Sequence, residues 1–153
     1  DNSFQSSFAP PHLNTHTIGS ISCGRRVLAV GSYDASAPQR TLSYFSSAGP
    51  TRDGRHKPDI SAPGHNIWAA NSLSKTGITR KSGTSMAAPC VAGIVALMFE
   101  QAVIRGLELT VDQTLQILID TARKDPPAGN GWDSRDGHGP VSAARAIQAI
   151  MGL

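Results

Sequence analysis

The segment that constrains this chain most is Ser82-Gly83-Thr84-Ser85-Met86-Ala87-Ala88-Pro89-Cys90-Val91-Ala92-Gly93. Small residues come first and an alanine-rich stretch with an early proline follows, so the segment predicts a tight turn that enters a helix. Ser85 would lie in the first helical turn, where free backbone N–H groups and the helix dipole favour negative charge. A nucleophile and an oxyanion site for acyl transfer need such a place.

Length, composition and charge limit the classes of protein to consider. The 153 residues can form one domain with a core, and 39% hydrophobic and 16% charged residues do not suit a disordered chain. The longest apolar stretch, 87–99, contains Pro89 and is too short for a membrane helix. The net charge of +3 comes without a block of Lys and Arg. We therefore expect neither a nucleic acid nor a membrane as a partner.

The two cysteines and the first residues leave the cellular compartment open. Cys23 and Cys90 are far apart in sequence, so a disulfide is possible but not indicated. Cys90 falls in the predicted helix after Ser85, where we expect it to be buried as a small apolar residue. The chain starts at Asp1 without a methionine or a signal-like apolar segment, which we interpret as the result of processing or truncation.

The chain is predicted to form a single partial domain, 1–153, with three parts. Residues 1–26 show no clear period and predict a loop or arm, 27–82 predict strands and loops, and 83–153 hold the Ser85 segment and helices. The predicted strands are a buried strand at Val27–Gly31, a second at Asp59–Ser61, and a hairpin of Asn66–Ala70 with Thr79–Ser82.

Three helices are predicted in the last part of the chain. The first, from about Ser85 to Ala102, is apolar nearly all round, which predicts a central, buried helix. The second begins at Thr110 with a capping box to Gln113, and the third begins near Ser142. The order of strands and helices predicts half of an α/β sandwich rather than a complete doubly wound sheet.

Several segments in family order resemble the subtilisin-like serine proteases. Residues 83–93 resemble the nucleophile motif of that family, and the segments Val27–Gly31, Tyr44–Thr51 and Lys57–Gly64 resemble those that precede it. The segment Gly137–Ala144 is similar to the family's entry into its last helix, so the resemblance covers roughly 27–150. It implies the C-terminal portion of a three-layer α/β fold, with parallel strands, a hairpin, a buried nucleophile helix and two further helices.

The family's other catalytic residues have no counterpart in this sequence. In subtilases the triad runs in the order Asp, His, Ser, and no His-Gly-Thr-like segment precedes Ser85. The family's oxyanion Asn lies in an Ala-Gly-Asn run before the first strand, whereas Ala128-Gly129-Asn130 follows Ser85 and predicts only a turn. The resemblance therefore implies Ser85 as nucleophile and its N–H as oxyanion donor. Thr84 either adds its hydroxyl to the oxyanion hole or is a turn residue.

Other polar and aromatic residues receive structural interpretations, with their alternatives. We expect Met86 to be a core side chain beside Ser85, and His65 and His138 to be loop histidines rather than bases or metal ligands. Cysteine-protease chemistry at Cys90 and a local triad around Ser85 are not favoured. Five further residues complete this set: Asp59, Asp133 and Asp136 as turn residues rather than cation ligands, with Trp68 and Trp132 as packing residues.

The resemblance implies a serine endopeptidase that hydrolyses polypeptides through Ser85 once an upstream His and Asp are present. By itself the chain is expected to be inactive, because loss of the His costs on the order of 10⁶ in kcat in this family, for which the loss has been measured. The alternatives are a non-catalytic subtilase-like binding or scaffold module and an esterase. No cofactor is expected, although structural calcium in a full-length protein stays open, and the family resemblance favours export from the cytoplasm. The implied partners are a polypeptide substrate, the N-terminal part of the domain and further copies of the chain through exposed edges.

Overall fold

A computed structural model describes residues 13–126, 129 and 131–153. These residues form a mixed α/β fold, as predicted. A short 3₁₀ helix, Ser20–Cys23, lies in the segment expected to be a loop or arm. The strands and helices are β1 (Val30–Asp34), β2 (Thr41–Leu42), β3 (Ile60–Pro63), β4 (Ile67–Ala70), β5 (Ile78–Lys81), α1 (Thr84–Ile104), α2 (Val111–Asp120) and α3 (Ala143–Met151).

The central strand of the larger sheet is β1. It pairs in parallel with β3, where Val30 lies opposite Ile60, and antiparallel with the two-residue strand β2, which was not predicted. The first strand was predicted at Val27–Gly31 but begins three residues later. The strand pairing with β3 begins at Val30, and just before it the carbonyl of Ala29 accepts from the N–H of Asp59 at 2.8 Å without forming part of either strand. Periodicity alone marks an apolar run, whereas the partner strand sets where pairing begins.

A segment close to the C-terminal end of the chain extends this sheet on the far side of β3. The N–H of Ser61 donates to the carbonyl of Gly139 at 3.1 Å, and the N–H of Val141 donates to the carbonyl of Ser61 at 2.8 Å. The chain then enters α3 directly, with the Ser142 hydroxyl accepting from the N–H of Arg145. The resemblance of 137–144 to an entry into a last helix is therefore confirmed in the structure.

The helix α1 packs one face against β1, β3 and α3. Its buried residues are Ala87, Val91, Ile94, Met98 and Ala102. The opposite side carries exposed apolar side chains, among them Val103 at 75% and Ile104 at 71% exposure. The prediction of a helix buried all round was therefore wrong for the described chain, because the sheet and α3 cover only one side.

Two further predictions about α1 also change. Cys90 is exposed and not buried, because it lies on the uncovered side of the helix, and neither cysteine forms a disulfide. The helix has 21 residues and a mean hydropathy of 1.8, so by length and composition alone it could cross a membrane. The sequence prediction had excluded a membrane helix because the apolar stretch 87–99 is shorter than α1. The core helix of a soluble protein meets the same two criteria, and here one face of α1 packs on the sheet.

The remaining elements follow their local sequence signals. The predicted capping box at α2 is present, because the hydroxyl of Thr110 accepts from the N–H of Gln113 while the Gln113 side chain accepts from the N–H of Thr110. The strands β4 and β5 form the predicted antiparallel hairpin as a separate two-stranded sheet.

Candidate active site

Ser85 lies in the first turn of α1 and is exposed to solvent. The residue before the helix, Gly83, has a φ of 156° and a ψ of 158°, a conformation that is essentially restricted to glycine. Its N–H donates to the carbonyl of Gly64 at 2.8 Å, and its carbonyl accepts from the N–H of Met86 at 3.0 Å. The turn therefore aligns the helix so that the N–H groups of Thr84 and Ser85 belong to the first turn, where the helix itself offers no acceptor.

Gly83 has no side chain to cap this helix end, and α1 has no acidic residue in its first turn. The positive end of a 21-residue helix is thus left for another negative group. Such an end can stabilise an oxyanion that forms at a carbonyl attacked by Ser85. The local geometry suits the chemistry that the sequence predicted for Ser85 and Thr84.

A cavity of about 380 Å³ lies beside this turn, and Thr84 forms part of its wall. Both apolar and hydroxyl side chains line the cavity. Its other lining residues are 18–22, 29–31, Ser46, Ser47 and Pro58. Sequence reasoning missed the role of residues 18–22, because their short 3₁₀ helix has no periodic signal and becomes a wall only when it packs near β1.

Met86, next to the nucleophile candidate, is half-buried rather than fully in the core. Among the residues that the structure describes, no histidine shares a hydrogen bond with Ser85. His65 stacks on the ring of Phe45 with centroids 5.8 Å apart, and His56 stacks on Trp132 at 4.3 Å. His12 lies outside the described residues.

Asp59 is a buried anchor and not the turn residue that was predicted. Its carboxylate accepts from the N–H of Ala29 at 2.7 Å and from the Lys57 ammonium at 2.7 and 3.0 Å. The same ammonium also donates to the carbonyl of Val27. A lysine ammonium thus fills the space among these oxygens, and it links the chain before β1 to the start of β3.

Asp133 and Asp136 have different roles, although both were predicted to be turn residues. Asp133 fits that prediction, because its Oδ1 accepts from the N–H groups of Arg135 and Asp136, both at 2.8 Å. Asp136 is fully buried and forms a bidentate pair with Arg40, both N···O distances being 2.7 Å, while the Ser61 hydroxyl donates to it at 2.6 Å. Sequence reasoning missed this pair, since Arg40 lies far away in a loop without a motif.

Within residues 13–126, 129 and 131–153, no three His, Cys, Asp or Glu side chains gather as metal ligands. His138 is half-buried, and burial together with Lys124 and His56 lowers its pKa from the ordinary value of 6.5. Ala128 and Asn130 of the predicted turn lie outside the described residues.

The two tryptophans differ in their surroundings. Trp132 is a packing residue as predicted, and its indole N–H donates to the carbonyl of Pro58 at 2.9 Å. Trp68 was also predicted to be a packing residue, but it is 57% exposed on β4, with the guanidinium of Arg80 4.0 Å from its ring. The hairpin contacts solvent on this side, so no core is available to Trp68.

Comparison with known proteins decides the family. The sequence profile of the subtilase family (peptidase S8) matches residues 6–139. The chain belongs to the subtilase family. Serine protease AprX of Bacillus subtilis is 34% identical over 154 residues, which covers 88% of this subtilase chain and 32% of AprX. Pyrolysin of Pyrococcus furiosus is 34% identical over 116 residues, which covers 73% of the chain and 8% of pyrolysin.

Solved structures agree with this subtilase assignment. The CspB protease of Clostridium perfringens superimposes with a TM-score of 0.78 at 35% identity, covering 91% of this chain and 30% of CspB. The patellamide maturation protease PatA superimposes with a TM-score of 0.73 at 28% identity, covering 91% of this chain and 48% of PatA. The subtilase chain described here thus spans less than half the length of each of these relatives.

Proposed function

We propose that this chain is the nucleophile-bearing part of a subtilisin-like serine endopeptidase. The observation that carries the proposal is the exposed Ser85 in the uncapped first turn of α1, beside the cavity whose wall includes Thr84. In the complete reaction the Ser85 Oγ attacks the carbonyl carbon of a peptide bond, and the N–H of Ser85 donates to the oxyanion. The Thr84 hydroxyl is a second candidate donor.

The reaction needs a base that takes the Ser85 proton and returns it to the leaving amine. In subtilases an Asp and a His that precede the Ser in chain order provide this function. The described chain brings no histidine into hydrogen-bonding contact with Ser85. We therefore propose that the 153-residue chain alone does not cleave peptides, and that its substrates are polypeptides once those two residues are supplied.

A chimera with AprX tests this proposal. The AprX segment that precedes the matched region is joined to this chain, and hydrolysis of a fluorogenic peptide is measured with Ser85 intact and with Ser85→Ala. We expect activity only in the chimera with Ser85, with a loss on the order of 10⁶ in kcat for the variant. A chimera that unfolds cooperatively but shows no hydrolysis would overturn the proposal and favour a non-catalytic binding or scaffold module.

The proposal extends to substrate class and location. An ester substrate tested beside the peptide separates an esterase from an endopeptidase. We also propose that the protein acts outside the cytoplasm, which the membership in the subtilase family supports, and cell fractionation with an antibody to this chain tests it.

A further inference from the structure

The β4–β5 hairpin carries an exposed surface that the proposed reaction leaves unused. Trp68 lies directly opposite Arg80, and Ala70 lies opposite Ile78. Because side chains alternate across a strand, these four residues share one face of the hairpin. Trp68 is 57% and Ile78 68% exposed, and Ala70 and Arg80 are exposed as well. We name this set of four residues the hairpin face.

The charged side chains of this region are all positive. Residues 60–99 contain no Asp or Glu, whereas the hairpin holds Lys75, Arg80 and Lys81. Lys81 pairs with Ile67 on the opposite face, and Lys75 lies in the connecting turn. The hairpin is therefore a local positive region in a chain of net charge +3, and a partner with carboxylates complements it.

The contact of Arg80 with the Trp68 ring orients the guanidinium toward such a partner. Its carbon lies 4.0 Å from the centre of the indole ring. A planar guanidinium that stacks on an aromatic face keeps its N–H donors at the edge of the plane, where they match a carboxylate in bidentate geometry. The neighbouring Ile78 and Ala70 offer apolar surface to a side chain beside that carboxylate.

The base of the hairpin is attached firmly to the turn before Ser85. The N–H of Asn66 donates to the Ser82 hydroxyl at 2.9 Å, and the N–H of Gly83 donates to the Gly64 carbonyl at 2.8 Å. Arg80 and Ser85 are five residues apart, so their Cα atoms lie within about 17 Å of each other even along an extended chain. A polypeptide held at Ser85 can therefore reach the hairpin face with about five of its own residues.

We propose that the hairpin face is a docking surface for an acidic stretch of the substrate polypeptide that also carries apolar side chains. This inference rests on the proposed function, since the link to Ser85 is what identifies the partner as substrate. Ile78 and Ala70 favour an apolar peptide side chain over a nucleotide, although the Trp68–Arg80 stack by itself would suit either.

Binding of short peptides tests the proposal without any turnover. The probe is a fluorescein-labelled hexapeptide of alternating Glu and Leu, and its anisotropy is followed as the Ser85→Ala chain is added. The comparison peptide has Lys in place of Glu. We expect the Glu peptide to bind and the Lys peptide not to bind, and we expect binding to weaken with salt.

Charge reversal at two matched positions provides the control. Arg80→Glu and Arg145→Glu change the net charge equally, but Arg145 is an exposed residue of α3. We expect Arg80→Glu to weaken the affinity for the Glu peptide on the order of tenfold, since a charge pair of about 1.4 kcal/mol corresponds to that factor. Arg145→Glu should change this affinity less than about twofold, because only weak long-range attraction is lost. Trp68→Leu, which keeps apolar bulk but removes the ring, should also weaken binding.

Two outcomes would overturn the docking surface. They are equal effects of the two charge reversals and no binding of the Glu peptide, and in the second case binding of oligothymidylate or of phosphatidylserine vesicles would identify a different partner. Neither of them bears on the chimera experiment, which measures hydrolysis. Conversely, a folded but inactive chimera together with peptide binding lost in Arg80→Glu would leave a binding surface without the proposed protease.

Discussion

At the residue scale, the Lys57–Asp59 pair shows how strongly a buried ion pair depends on both members. Their side chains are only 6% and 12% exposed. Lys57→Met leaves a buried carboxylate without its cation, so we expect the free energy of unfolding in urea to fall by about 3–5 kcal/mol. Arg26→Gln breaks the exposed pair with Asp112 and should cost less than about 1 kcal/mol. If both variants lose the same free energy of unfolding, burial of the Lys57–Asp59 pair does not increase the cost of losing the Lys57 ammonium.

His138 provides the pH dependence at the same scale. Burial and the nearby Lys124 and His56 lower its pKa in the folded state below 6.5, so the unfolded chain binds the proton more readily. The contribution of neutral His138 to the free energy of unfolding should be fully present above about pH 6.5. It should decrease as pH falls below that value. In His138→Gln the decrease across this range should be smaller, as measured by urea unfolding between pH 7.5 and 5, while exposed His16→Gln should retain it. If the free energy of unfolding of His138→Gln depends on pH as strongly as that of the unsubstituted chain, the prediction is wrong.

At the scale of elements, α1 and the sheet react oppositely to an added methyl group. A Cβ at Gly93 in the exposed side of α1 meets no atom within 4 Å, whereas one at Gly139 lies 2.1 Å from the carbonyl oxygen of Arg123 at a φ of 111°. Gly93→Ala should therefore raise the free energy of unfolding by about 0.5–1 kcal/mol. Gly139→Ala should lower it clearly, because the segment beside β3 must move. Thermal and urea unfolding of both variants measure this, and a destabilised Gly93→Ala would mean that this side of α1 is covered.

At the scale of the whole molecule, the uncovered side of α1 favours self-association. Leu97, Phe99, Val103 and Ile104 are between 41% and 75% exposed along one helix. Contiguous apolar surface of this kind drives association or dye binding in water. We expect light scattering to show species larger than the monomer, and we expect Val103→Lys with Ile104→Lys to shift them toward the monomer. A clean monomer that binds no apolar dye would contradict this expectation.

Interactions between neighbours along the chain specify the features that were predicted correctly. The first turn at Ser85, the capping box at Thr110 and the hairpin each follow from residues only a few positions apart, and the structure confirms these elements. Local backbone preferences and caps act within one or two turns, so a single sequence carries them. The order of these segments was also enough to indicate the family.

Which surfaces meet depends on contacts between remote segments of the folded chain. The Arg40–Asp136 pair joins residues 96 positions apart, and the cavity beside Thr84 combines segments from five parts of the chain. No local sequence pattern predicts such contacts, because their energy arises from burial and charge pairing between remote residues. For the same reason the apolar sequence of α1 predicted burial on every side, whereas the described fold covers one face and leaves the other in water.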